Sequence, residues 1–199
     1  MGMVVVFGGS FNPIHIGHEE IIESLSKLDG VDKVLVVPTK IPPHKDSSYL
    51  ADETDRIDMC SIIASKYPNV EVCDIELKRE GKSYTIDTVT ALKNHYKDKS
   101  LAITIGGDML VSFDTWKDYK DILKKCSLIT FKRVGINTEE HIKSVEKLID
   151  LGANIVSIEN EITDVSSTQI RNDLAERKCC KLLDKGVFEY ITKHNLYGV

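Results

Sequence analysis

The stretch Val4-Val5-Val6-Phe7-Gly8-Gly9-Ser10-Phe11-Asn12-Pro13-Ile14-His15-Ile16-Gly17-His18 decides the fold. It opens with an unbroken apolar run, Val4 to Phe7. A strand covered on both faces reads this way, because neither side needs polar residues. The run breaks at Gly8-Gly9, passes Ser10 and Asn12-Pro13, and re-enters a helical pattern carrying His15 and His18. Buried strand, glycine turn and helix N-terminus, in that order, make an anion site: unpaired backbone N–H groups and the helix dipole converge there.

The same alternation continues outward from this stretch. Further buried strands are predicted at Lys33–Val37 (stopped by Pro38), Val70–Asp74, Leu101–Ile105, Leu128–Phe131 and Asn154–Ile158. Between them lie amphipathic helices over about Gly17–Leu28, Asp52–Ser65, Ile86–Tyr96, Tyr119–Lys125 and Thr138–Leu151. The Asp52–Ser65 helix is expected to bury Ile57, Met59, Ile62 and Ile63. Ser83-Tyr84-Thr85 reads as a cap for the helix that follows. Two more helices, from Ser166 to Arg177 and Gly186 to Asn195, close the chain. Short buried strands alternating with helices mean an α/β fold, a Rossmann-like doubly wound parallel sheet. The expectation is one domain over residues 1–199 with a small C-terminal helical extension from about 166. In such sheets ligands bind at the carboxyl ends of the strands. That places four groups on one rim: the loop after the first strand, the Pro42-Pro43-His44-Lys45 loop, the Gly106-Gly107-Asp108 turn and the cap at Ser166.

Composition narrows the function classes. A net charge of -5 argues against non-specific binding to nucleic acid or to an anionic membrane surface. No apolar run approaches the roughly 20 residues of a membrane span, and no secretory leader pattern is present. The five cysteines are odd in number and form no CxxC pair, which fits a reduced, cytoplasmic protein and gives no cysteine metal site.

The motifs sharpen this. Gly8-Gly9 permits positive φ and close approach of backbone to a ligand, though a plain strand-to-helix turn explains it equally. The GxGxxG dinucleotide pattern fails at Ser10, and no GxxxxGK[ST] loop exists. His15 and His18 stand at i and i+3, on one face of a helical turn, where both rings reach phosphates held by the glycines. Taken alone, they also fit capping histidines, or a zinc pair for which no third ligand has convincing spacing. Ser166-Ser167-Thr168, taken alone, is just a good helix cap; Arg171 one turn in adds a bidentate phosphate donor, and it is the pairing with the Gly8–His18 motif that points to a phosphate clamp. Trp116, the only tryptophan, suits either core burial or stacking on a flat ring.

The segment Gly8 to His18, GGSFNPIHIGH, resembles the signature of the HxGH nucleotidylyltransferases, a cytidylyltransferase-like α/β group that activates small phosphates with a nucleoside triphosphate. Ser166-Ser167-Thr168-Gln169-Ile170-Arg171 resembles that family's second element, SSTxIR. Pro42-Pro43-His44-Lys45, Ser83-Tyr84-Thr85-Ile86-Asp87-Thr88 and Gly106-Gly107-Asp108 with Trp116 resemble the bacterial branch that adenylylates nicotinate mononucleotide. Where members often place a second aromatic after the tryptophan, this chain has Lys117, and Val134-Gly135 follows Arg133 in place of Pro-Gly.

The resemblance implies an enzyme that joins nicotinate mononucleotide to the AMP part of ATP, giving deamido-NAD and pyrophosphate. His18, His15 and Arg171 would be catalytic. ATP would lie on Gly8, Gly9, Ser10, Phe11, His15, His18, Gly106, Asp108, Ser166, Ser167, Thr168 and Arg171. Lys45, Tyr84, Thr85, Trp116 and Arg133 would take the acceptor. Magnesium would arrive with ATP, not in a protein-built site. The partners implied are these two nucleotides, with no nucleic acid and no membrane, in a monomer or homo-oligomer. Nicotinamide mononucleotide or another phosphorylated acceptor is the alternative within the class, and a non-catalytic nucleotide sensor the alternative outside it.

Overall fold

The computed structural model describes residues 2–42, 50–131, 138–160, 162–178 and 181–199, the side chains at 108, 138, 140 and 141 excepted. Six parallel strands form one sheet in the order β3-β2-β1-β4-β5-β6. They are β1 Met3–Gly9, β2 Val31–Pro38, β3 Val70–Val72, β4 Ser100–Ile105, β5 Ser127–Phe131 and β6 Ile155–Ile158. The order reverses between β1 and β4, whose Val6 and Ile103 are register partners, and this is the switch point at which such sheets open a crevice.

Side chains of β1 alternate between two cores. Val5 and Phe7 join one apolar cluster, and Val4 and Val6 the other. Helices α1 Ile16–Ser26, α2 Glu53–Ala64, α7 Ser167–Ala175 and α8 Lys185–Lys193 cover the first face through residues such as Ile22, Met59, Ile170 and Val187. The second face is covered by α3 Thr85–His95, α4 Gly107–Val111, α5 Tyr119–Lys125 and α6 Thr138–Asp150, through Val89, Leu110, Ile122 and Leu148. The sheet is therefore doubly wound, as its apolar runs require. Among the described residues no helix is long and apolar enough to cross a membrane.

Several expectations are corrected in detail. Gly8 and Gly9 do not form the turn; they are the last residues of β1, paired with Val37 and Pro38 of β2. Neither has positive φ; the left-handed residue is Phe11, at φ 46°. Pro38 consequently ends inside the ladder and not before it. Ser83 does not cap α3: its hydroxyl accepts the Lys40 N–H, and Tyr84 is the N-cap. In α2 the buried stripe is Arg56, Met59, Cys60 and Ile63, while Ile57 and Ile62 are only half-buried. Cys60, Cys73 and Cys126 are free thiols, and burial pushes Cys126 up to about 12. Cys179 and Cys180 lie outside the described residues.

Candidate active site

The site is built around the loop from Ser10 to His15. Phe11 is buried, and its ring lies edge-on to Phe7 at 5.3 Å and to His18 at 5.1 Å. A bulky residue at positive φ is strained, and burial of the ring in this aromatic contact offsets that strain. Gly9 is required beneath it, because a Cβ there would stand 2.9 Å from the Phe11 ring. Gly8 differs. A Cβ at Gly8 would meet no protein atom within 4 Å, so the space beside it is open to a ligand.

Three carbonyls of this loop, those of Ser10, Asn12 and Pro13, are met by side-chain donors. The Arg56 Nη1 donates to the Ser10 carbonyl at 3.0 Å and to the Thr39 carbonyl at 2.7 Å, and its Nε donates to the Ala51 carbonyl. Arg56 is 1% exposed, and burial lowers its pKa from the usual arginine value. Arg171 Nη1 donates to the Asn12 carbonyl at 2.8 Å, and Ser167 Oγ donates to the Pro13 carbonyl at 3.0 Å. The Asn12 carboxamide oxygen accepts from the Ala51 N–H at 3.0 Å and from the Tyr197 hydroxyl at 2.8 Å. Burial pushes the Tyr197 phenol up, which keeps it a donor. Arg56 and Tyr197 were not read as site residues from the sequence. A signal for Arg56 existed: positions 56, 59, 60 and 63 form one i, i+3, i+4, i+7 stripe.

His15 is not inside the helix; it is the extended N-cap residue of α1, with His18 at the third helical position. The two rings stack with centroids 3.6 Å apart. The His15 backbone N–H donates to His18 Nδ1 at 3.3 Å. With Nδ1 accepting, the neutral His18 imidazole carries its proton on Nε2. Gly17 lets the chain after β6 come close, since a Cβ there would lie 2.9 Å from the Thr163 carbonyl oxygen. Ser166 caps α7, its hydroxyl accepting the Gln169 N–H, and Arg171 Nη2 donates to Thr168 Oγ1 at 3.2 Å.

A cavity of about 280 Å³ opens at the switch point. It is lined by Gly8, Gly9 and Ser10 at the end of β1 and by Tyr84, Thr85, Gly106, Trp116 and Lys117, among others. Trp116 is half-buried and packs on Phe113 at 5.1 Å between centroids. Glu76 also lines the cavity, a buried carboxylate that accepts the Thr88 hydroxyl at 2.7 Å and lies 3.8 Å from Arg79. Thus the glycine edge and the residues expected for the acceptor share one cavity. His15, His18 and the Ser166–Arg171 segment are not among its lining residues; Ser167 and Arg171 meet the Ser10–Pro13 loop through the Pro13 and Asn12 carbonyls. Lys45 and Arg133, and the side chain of Asp108, lie outside the described residues. Among the described residues no three His, Cys, Asp or Glu side chains gather as a metal site.

Comparison with known proteins agrees with this architecture. Residues 6–173 match the family model described as cytidylyltransferase-like. A protein of Fusobacterium nucleatum named "Probable nicotinate-nucleotide adenylyltransferase" is 38% identical over 198 residues, covering 94% of this chain and 98% of the relative. A protein of the same name from Halalkalibacterium halodurans is 36% identical over 199 residues, covering 99% and 92%. Among solved structures, the nicotinic acid mononucleotide adenylyltransferase of Plasmodium falciparum complexed with NaAD superposes with a TM-score of 0.81 at 20% identity, covering 99% of this chain and 98% of that one. This last likeness speaks to the fold.

Proposed function

The chain belongs to the cytidylyltransferase-like family, and from that premise we propose that it is a nicotinate-nucleotide adenylyltransferase. It joins nicotinate mononucleotide to the AMP moiety of ATP, releasing pyrophosphate and forming deamido-NAD. The observation that carries the reading is the cavity at the switch point, lined both by Gly8–Ser10 and by Thr85 and Trp116. A triphosphate lies against the open space at Gly8, and a flat ring lies against the indole.

An oxygen of the mononucleotide phosphate attacks the α-phosphorus in line. The bond from that phosphorus to the bridging oxygen breaks, and its electron pair leaves with pyrophosphate. The nucleophile is already an anion, so no general base is needed. What the protein supplies is alignment and hydrogen bonds to charge that grows on the leaving group. His18 Nε2–H is assigned to the α/β bridging region, with His15 stacked behind it and Ser10 beside it. Arg171, Ser167 and Thr168 are assigned to the β/γ end. Gly106 and Asp108 are assigned to the adenosine side, and Tyr84, Thr85 and Trp116 to the acceptor. Lys45 and Arg133 belong with the acceptor by resemblance alone.

The donor set suits a magnesium ion that comes with ATP. Near the phosphate loop the chain offers hydroxyls, imidazoles and backbone groups, and an ion carried by ATP would take most of its ligands from phosphate oxygens and water. When bound, the ion supplies charge neutralisation on the phosphates.

The test is a panel of acceptors incubated with ATP: nicotinate mononucleotide, nicotinamide mononucleotide and phosphopantetheine. Pyrophosphate release and deamido-NAD formation are expected with the first at the highest kcat/KM. Release only with another acceptor would replace the substrate, and none with any would replace the enzyme class.

A further inference from the structure

Lys117 stands where relatives by resemblance carry a second aromatic, and its position in the structure gives it different chemistry. It is an exposed residue at the cavity wall, next in sequence to Trp116. Its Nζ sits over the Tyr84 ring, 4.5 Å from the centroid. That cation–π contact holds a long, otherwise flexible ammonium at one place on the rim. Tyr84 is the N-cap of α3 and itself lines the cavity, so the ammonium is anchored to the wall and not merely near it.

The charges around the cavity are few. Among the described lining residues Lys117 is the one cation and Glu76 the one anion. Glu76 is buried and already engaged by Thr88 and Arg79. An acceptor ring entering beside Trp116 therefore meets one charge from the wall that is not already answered by an ion pair, and it is positive.

On the reading that this cavity receives the acceptor, we infer that Lys117 selects the acid form of the pyridine mononucleotide over the amide. The acid's ring carries a pyridinium charge and a carboxylate, and the ammonium attracts the carboxylate. The amide's ring keeps the pyridinium charge alone. Repulsion of the pyridinium is common to both substrates and cancels in the ratio, so the carboxylate's attraction alone sets the preference, and a partly solvated charge discriminates by up to about tenfold.

The experiment measures kcat/KM for nicotinate and nicotinamide mononucleotides, at saturating ATP, in the wild-type chain, Lys117→Met and Lys117→Arg. Methionine keeps the stem over Tyr84 and removes the charge; arginine keeps the charge. The expected result is an acid-to-amide ratio about tenfold lower in Lys117→Met, carried by KM for the acid. Lys117→Arg should stay within about threefold of wild type. The wild-type ratio should fall as ionic strength rises, and the Lys117→Met ratio should not. An unchanged ratio in Lys117→Met, or a loss shared equally by Lys117→Arg, overturns the role of the charge while leaving the adenylyltransferase reading intact. If the wild-type chain turns over neither mononucleotide, the functional reading itself falls, and this inference with it.

Discussion

His18 presents Nδ1 to the backbone N–H of His15, and one hydrogen bond thereby decides where the imidazole proton sits. A ring held this way is a ready N–H donor from Nε2 that needs no protonation to act. On the role proposed for it, this donor acts when charge on the leaving pyrophosphate is growing, so its loss should appear in kcat more than in KM. His18→Ala is expected to lower kcat by about 10²-fold or more, with KM for ATP changed far less. Steady-state kinetics checks this; an unchanged kcat removes His18 from the chemistry. The spacing of the two histidines was legible in the sequence, but the hydrogen bond between them was not. It depends on His15 being an extended N-cap residue, and the i, i+3 rule describes side chains that are both inside a helix. Lys117 is the converse case. Its identity was plain, and its chemistry depended on Tyr84, which is 33 residues away by number and adjacent in space.

At the scale of elements, β1, β2, β4 and β5 could be read from their apolar runs, because a strand buried on both faces carries a strong signal, whereas the edge strands β3 and β6 are partly exposed and carry a weaker one. The boundary at Gly8-Gly9 could not. Glycine is read as a turn residue, yet here β2 pairs with both glycines and extends the strand to the edge of the cavity. Helix α2 shows a different gap. A charged residue inside an apolar stripe is usually read as an interruption, whereas Arg56 belongs to the stripe and reaches three carbonyls from the interior. It ties α2 to the end of β2 and to the loop that follows β1. Arg56→Met keeps the apolar stem but leaves the Ser10, Thr39 and Ala51 carbonyls without this donor. A loss of about 2–4 kcal/mol is expected, from the cost of unmet buried polar groups. For a chain of this size that corresponds to a melting temperature lower by roughly 5–15 °C. Thermal denaturation reads it directly, and a melting temperature equal to wild type would mean that the guanidinium is not bracing the loop.

For the molecule as a whole, the helices of the C-terminal part are fastened to those that precede them. Lys66 Nζ, just past α2, reaches Glu19 of α1 and the α8 N-cap Asp184, both at 2.6 Å. Burial alone would push the Asp184 carboxyl up; the Lys66 ammonium and the Val187 and Gly186 N–H groups outweigh it and hold the pKa below the ordinary 3.8. A carboxyl held low in the folded state gives its full contribution above the unfolded value and loses it as pH falls through the folded one. The stability gap between the wild-type chain and Asp184→Asn should therefore be constant near neutral pH and shrink below pH 3.8. Melting temperatures of both proteins across pH 2–7 test this, and a gap independent of pH would detach the charge from the docking of α8.

The hydroxyl of Tyr197 on the Asn12 carboxamide joins residues 185 positions apart. Synthesis runs from one to the other. A growing polypeptide can lay down the six strands and both apolar layers while the loop after β1 still lacks one of its fastenings. The last fastening of that loop is therefore the last to be made. A chain halted short of residue 197 would hold all six strands yet lack both this hydrogen bond and the Tyr197 ring that packs on the first apolar cluster.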